Sequence, residues 1–132
     1  MKTLKKILLF IHQLPQNLLG LLVIFFTVAH KEDREFEYVA YLSSPFGISL
    51  GNFIIFGKEP GSETSYKHEY GHHIQSIKLG WLYLFVVGLP SILGNIWDRI
   101  AHGNWTFTQR EVWYYSRFPE KWADELGGVK RF

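Results

Sequence analysis

Apolar positions in the first dozen residues recur at helical spacing: Leu4, Ile7, Leu8 and Ile11 share a stripe beside Lys2, Lys5 and Lys6. That is the pattern of an amphipathic helix with a basic rim, lying against a membrane surface. His12 to Asn17 (HQLPQN) interrupts it, and Pro15 suits the first turn of a new helix. The apolar run 18–29 (LLGLLVIFFTVA) has 12 residues. As a helix it is about 18 Å long, against the ~30 Å of a bilayer core. Alone it does not span, and Thr27-Val28-Ala29-His30 is a poor signal-peptide cleavage site, so residues 1–30 read as a retained, membrane-associated helical segment.

Residues 31–37 (KEDREFE) read as a charged connector. Residues 38–42 are β-formers, SSPFG at 43–47 reads as a turn, and 48–56 (ISLGNFIIF) resumes an extended pattern broken at Gly51. Together they predict a β-hairpin whose second strand is either a free edge on which an extended peptide can add as another strand or an ordinary covered edge. Pro60-Gly61 then breaks the chain, Ser62 or Thr64 can cap a helix, and Gly80 can end it, which predicts a helix over 63–79. On a helical wheel Tyr66, Tyr70, Ile74 and Ile77 cluster opposite His68 and His72, so one face is expected to pack and the other to bind.

The most hydrophobic window is 79–97 (LGWLYLFVVGLPSILGNIW). Pro90 in its middle removes a backbone donor and disfavours helix at the residue before it. The window is therefore expected to be a bent or re-entrant apolar hairpin, or two buried core helices, touching the membrane without spanning it. Residues 98–110 read as a polar loop and 111–118 show no strong period. Residues 119–128 (PEKWADELGG) predict a short helix opened by Pro119 and closed at Gly127-Gly128.

With 132 residues the chain has room for one domain, the core of which is expected over 38–128. Its net charge of +2 gives no broad basic surface for nucleic acid. Cysteine is absent, leaving His and carboxylate as the strong metal ligands. Aromatic residues make up 17% of the chain, which suits a membrane interface as well as a dense core. The expected class is α+β and mostly helical: a metal-binding helix preceded by a β-hairpin, with apolar membrane-associated helices around them.

The chemistry concentrates in 66–76 (YKHEYGHHIQS), where His68, Glu69 and His72 form H-E-x-x-H. Histidines four apart on a helix lie one above the other and can offer two imidazole nitrogens to one ion. Glu69 follows about 100° round, suited to facing a water on that ion rather than ligating it. The bland alternative is a pair of solvated surface histidines. His73 points to the packing face and reads as a core or supporting histidine; His102, beside Gly103, has no partner at helical spacing. Downstream, Glu120 and Asp124 share a face beside Ala123, which lets their helix come close. Glu120 can supply a third ligand, and Asp124 can accept a hydrogen bond from a ligating imidazole. Their bland alternative is a solvated acidic face.

HEYGH followed by EKWAD resembles the H-E-x-x-H plus E-x-x-A-D arrangement of gluzincin-type zinc metallopeptidases, including the membrane-embedded CAAX-prenyl-type and heat-shock-type peptidases. The resemblance covers mainly residues 49–128. It implies a zincin-like fold, one zinc ion on His68, His72 and Glu120, Glu69 as general base, and Asp124 in support. It also suggests Tyr114, Tyr115 and Arg117 as transition-state stabilisers. The implied partners are a peptide or protein substrate and membrane lipid, and the implied setting is a bacterial cytoplasmic membrane. Two other classes stand beside this reading: a non-catalytic membrane protein stapled by a structural zinc, and a metal-free membrane scaffold.

Overall fold

The structure of the chain, a computed structural model, describes residues 1–26, 30–34, 37–41, 48–56 and 63–131. The fold is mostly helical with one small sheet. Helices α1 (Lys2–His12) and α2 (Leu14–Phe26) meet at 89°. A helix end leaves carbonyls without partners, and the HQLPQN corner supplies them. Gln13 Nε2 donates to Leu9 O (3.2 Å), Asn17 Nδ2 to Phe10 O (3.0 Å), and Trp81 Nε1 to Ile11 O (2.9 Å).

The same corner binds the rest of the molecule. Ser76 Oγ donates to Gln13 Oε1 and accepts from Gln16 Nε2, both at 2.7 Å, while Gln16 also donates to Gly80 O. Gln13, Gln16 and Asn17 are fully buried. The polar interruption is thus the joint between the N-terminal helices and the helix bearing H-E-x-x-H.

The sheet has four strands in the order β1-β2-β4-β3: β1 (His30–Arg34), β2 (Glu37–Tyr41), β3 (Ile48–Leu50) and β4 (Phe53–Phe56). This corrects two expectations. The charged connector is largely a strand, β1, paired antiparallel to β2. The expected strand 48–56 is two strands joined by a two-residue turn, where Gly51 takes φ +65° as such a turn requires. The other expected hairpin arm, β2, pairs with β4 in parallel. β4 is therefore central rather than a free edge, and on edge strand β3 the Ser49 carbonyl already accepts from Tyr83 OH at 3.0 Å. The expected turn at 43–47, the break at Pro60-Gly61 and the Ser62 cap lie outside the described residues. Leu50, Phe53 and Ile55 pack with Ile24 of α2 in a small apolar core, flanked by Phe10, Val23 and Leu84.

Helix α3 spans Glu63–Leu79, and Gly80, at φ +54°, ends it. Its buried face is the reverse of the one the helical wheel suggests. His68, Glu69, Gly71, His72, His73, Gln75 and Ser76 are buried, whereas Tyr70 is exposed. Polar side chains can be buried when they find partners, and here the corner, the sheet and the segment around α6 provide them for His68, His72, His73, Gln75 and Ser76.

After a 3-10 turn at Gly80–Leu82 and a π-helical turn at Leu84–Gly88, α4 runs over Leu89–Ala101. The apolar window is thus neither a bent hairpin nor two buried core helices. Leu84–Ala101 is one helical segment, long and apolar enough to cross a membrane, with 17% of its residues buried. Pro90 sits in the first turn of α4, where its missing N–H costs least. The expected loop over 98–110 is shorter than anticipated, because α5 begins at Phe107 and runs to Tyr115, opened by a Thr106/Gln109 capping box. Helix α6 covers Glu120–Gly127 and closes on Gly128 at φ +76°.

Helices α3 and α6 cross with backbone against backbone. An added Cβ at Gly71 would lie 2.6 Å from the carbonyl carbon of Ala123, and one at Gly127 would lie 2.8 Å from that of Lys67. No side chain larger than hydrogen fits at either point, and this closeness brings α6 within reach of the histidines. Among the described residues, buried polar side chains outnumber buried apolar ones, while α1, α2 and 81–100 carry large exposed apolar side chains.

Candidate metal centre

His68 and His72, one turn apart on α3, turn their Nε2 atoms towards Glu120 of α6. Each Nε2 lies 3.0 Å from Glu120 Oε2, and all three groups are buried. The three donor atoms lie within 4.8 Å of one another, so His68, His72 and Glu120 form a group able to hold a metal ion.

The other ring nitrogens fix what faces the centre. His68 Nδ1 is 2.7 Å from Asp124 Oδ1, and a carboxylate only accepts, so Nδ1 carries the proton. His72 Nδ1 is 2.7 Å from Gln75 Oε1. The amide of Gln75 is oriented by its own Nε2, which donates to Pro119 O at 3.0 Å. Both imidazoles therefore present Nε2 to the same carboxylate oxygen. With both rings neutral and Glu120 ionised, three lone pairs would converge on one point, a repulsion that protons on the rings or a metal ion would relieve. Around a tetrahedral zinc with bonds of about 2.0–2.1 Å, neighbouring donors stand roughly 3.3 Å apart. The two Nε2–Oε2 separations of 3.0 Å are close to that, and two imidazoles with one carboxylate, all three donors within 4.8 Å of one another, are a donor set able to hold a metal ion.

Glu120 is held by its second oxygen. Ser91 Oγ of α4 donates to Oε1 at 2.5 Å and Tyr114 OH of α5 at 3.2 Å, leaving Oε2 for the centre. Glu69, also buried, has one oxygen, Oε2, with no hydrogen-bond partner in the protein.

Electrostatics follow from burial and pairing. Burial alone would lower the His68 pKa, but the Asp124 and Glu120 hydrogen bonds, helped by the charge of Glu69, outweigh it and raise it to about 9. His72 is raised too, its burial overcome chiefly by Glu120. Glu120 resists its own burial and is held well below the carboxylate range by His68 and His72. Glu69 goes the other way: burial pushes its carboxyl up, and His72 and His68 offset only part of that rise. Two carboxylates in one site are thus driven apart, one kept ionised and one inclined to take a proton.

Asp124 is kept low, against burial, by His68 and Arg131. Tyr114 reaches the site through its hydroxyl, and burial followed by the Glu120 charge keeps its pKa above the usual tyrosine value. The Tyr115 ring meets His68 edge-on at 5.1 Å and walls it, and its own hydroxyl is pushed up to about 12 by burial. Arg117 does not join them. Its guanidinium packs against Gly94 of α4 and lies 4.8 Å over the Trp113 ring. His73 donates to Gly51 O at 2.6 Å and ties α3 to the β3–β4 turn; burial lowers its pKa. His102 is no ligand: it caps α4 through Asp98 (2.9 Å) and stacks on Trp105.

Sequence reasoning missed Gln75, Ser91 and Arg131. Gln75 was accessible, since three residues beyond His72 on one helix is contact spacing. Ser91 and Arg131 carry no local signal, because each meets the site only through the fold. No family model, curated protein or solved structure matches this chain.

Proposed function

We propose that this chain is a zinc-dependent metallopeptidase that hydrolyses peptide bonds at a membrane surface, built on a zincin-like pairing of α3 with α6. The observation that carries the reading is the convergence of His68 Nε2, His72 Nε2 and Glu120 Oε2 beside a buried Glu69 carboxylate oxygen that no protein group satisfies. A structural zinc staple has no need of such an oxygen, and burying it unpaired is costly. A general base needs it free.

Zinc in this site would supply Lewis-acid polarisation of the scissile carbonyl and a lowered pKa for a bound water. The chain does the rest. Asp124 and Gln75 hold the imidazole tautomers, and Ser91 and Tyr114 hold Glu120 to one oxygen. Glu69 takes the proton from the attacking water and returns it to the leaving amine, a task suited to a carboxylate whose pKa burial has raised.

Membrane lipid enters the proposal through the exposed apolar residues. On α4, Ser91, Gly94 and Asp98 face α5, α6 and the loops between, while Ile92, Leu93, Ile96, Trp97 and Ile100 are exposed. A helix with one polar face engaged and one apolar face bare suits the bilayer boundary, with the metal centre on the protein side. A bacterial cytoplasmic membrane is the setting this reading adopts.

The test is elemental analysis of purified protein together with cleavage of a peptide library. About one zinc per chain is expected, with cleavage lost in Glu69→Gln while zinc is kept. Zinc retained without cleavage of any peptide would support the structural-zinc alternative, and absence of zinc would defeat both. Vesicle flotation checks the membrane part: the protein should float with lipid whether or not zinc is bound.

A further inference from the structure

Beyond Gly128 the chain turns back on α6. The Val129 N–H donates to Asp124 O at 2.8 Å and the Gly128 N–H to Glu125 O at 3.4 Å, a turn that the positive φ of Gly128 allows. This return brings Arg131 onto the carboxylate of Asp124. Arg131 Nε donates to Oδ2 at 2.7 Å and Nη2 to Oδ1 at 3.2 Å, a two-pronged grip. The guanidinium carbon lies 3.6 Å over the Tyr115 ring, Nη1 is 3.8 Å from Glu111 Oε1, and only 11% of the side chain is exposed. Tyr115 in turn lies edge-on to His68.

We infer that Arg131 is a positioning residue of the metal centre: by gripping Asp124 it fixes the acceptor for His68 Nδ1–H and so aims His68 Nε2 at the ion. This rests on His68, His72 and Glu120 being a metal centre. A carboxylate that accepts one hydrogen bond from an imidazole remains free to rotate. A planar guanidinium fork removes that freedom, because its two hydrogen bonds fix the carboxylate plane. His68 is then left with its proton on Nδ1 and its lone pair on Nε2, the tautomer a metal needs. A lysine retains the charge but cannot reproduce the fork.

The experiment is a double-mutant cycle on zinc affinity, read by competition with a chromophoric chelator. Arg131→Met is expected to weaken zinc binding by about tenfold in the otherwise unchanged protein, the lower end of the range for supporting residues. In an Asp124→Asn background it is expected to have less than about a twofold effect, because the group it acts through is gone. A purely structural arginine would weaken binding equally in both backgrounds, and that result would overturn the inference. In the zinc-loaded protein the His68 Nδ1–H resonance is expected to exchange faster with solvent in Arg131→Met than in the parent; an unchanged rate counts against it. Should Arg131→Met fail to fold, Arg131→Lys run through the same cycle carries the same two outcomes. Failure of the parent protein to bind zinc would instead remove the metal centre itself, so the two failures are distinguishable.

Discussion

Gly71→Ala tests the geometry that creates the site. The new Cβ would stand 2.6 Å from the carbonyl carbon and 3.0 Å from the Cα of Ala123, whereas carbon atoms prefer about 3.5 Å or more. Because both obstacles are backbone, no side-chain rotation relieves the clash, and α6 must retreat by about 1 Å. Alanine gains up to about 1 kcal/mol over glycine inside a helix. Overpacking against a fixed neighbour costs about 1–3 kcal/mol, so the zinc-free protein loses up to about 2 kcal/mol net of that gain. The effect on metal is larger in kind. Metal–ligand distances tolerate only about 0.2 Å, and Glu120 rides on the helix that moves, so zinc affinity should fall by tenfold or more. Chelator competition measures the affinity, and urea unfolding in excess chelator measures stability without the ion. Gly103→Ala is the control, since its Cβ meets nothing closer than 4.0 Å; both readouts should stay at the parent values. A Gly71→Ala protein that binds zinc as tightly as the parent would refute the close crossing as the source of the site.

Zinc uptake should release protons. His68 in the zinc-free protein keeps its proton up to about pH 9, so apparent affinity should climb with pH by at least about tenfold per unit below that value. Calorimetry in two buffers of different protonation enthalpy checks this, and identical heats would contradict it. Without zinc the sign for folding is the opposite: the raised His68 pKa stabilises the fold below 6.5, and that contribution disappears as pH rises through about 9. Ser76→Ala strands Gln13 Oε1 and one donor of Gln16, and should cost about 1–3 kcal/mol in urea unfolding; a change under about 0.5 kcal/mol would mean the N-terminal corner is not bound to α3 as described. Arg117→Ala should lower stability through its lost packing on Trp113 and Gly94 while zinc affinity remains at the parent value. Weakened zinc binding there would instead couple Arg117 to the site.

Several features were legible in the sequence because they are local. Gly80 marked the end of α3 (Glu63–Leu79), the four-residue spacing put His68 and His72 on one face of it, and Pro119 with Gly127-Gly128 defined α6. Ala123 signalled a close approach, and α6 does pack backbone against backbone on Gly71. The β2–β4 pairing was not legible, since a parallel partner is chosen by the fold and not by a turn. Nor was the course of 80–101, where Pro90 was read as a break although it sits in the first turn of a helix that tolerates it.

The instructive case is α3 itself. A period of 3.6 residues decides which side chains share a face, and the sequence alone settled that His68 and His72 do. It does not decide which face is buried. Burial of the polar one depends on whether Asp124, Glu120, Gly51 and the Gln13–Gln16 corner arrive to satisfy it, and those lie tens of residues away. The shared face of His68 and His72 was therefore a property of the chain's local pattern, whereas the groups that meet them, and the charge and tautomer that follow, were decided only when distant segments closed around them.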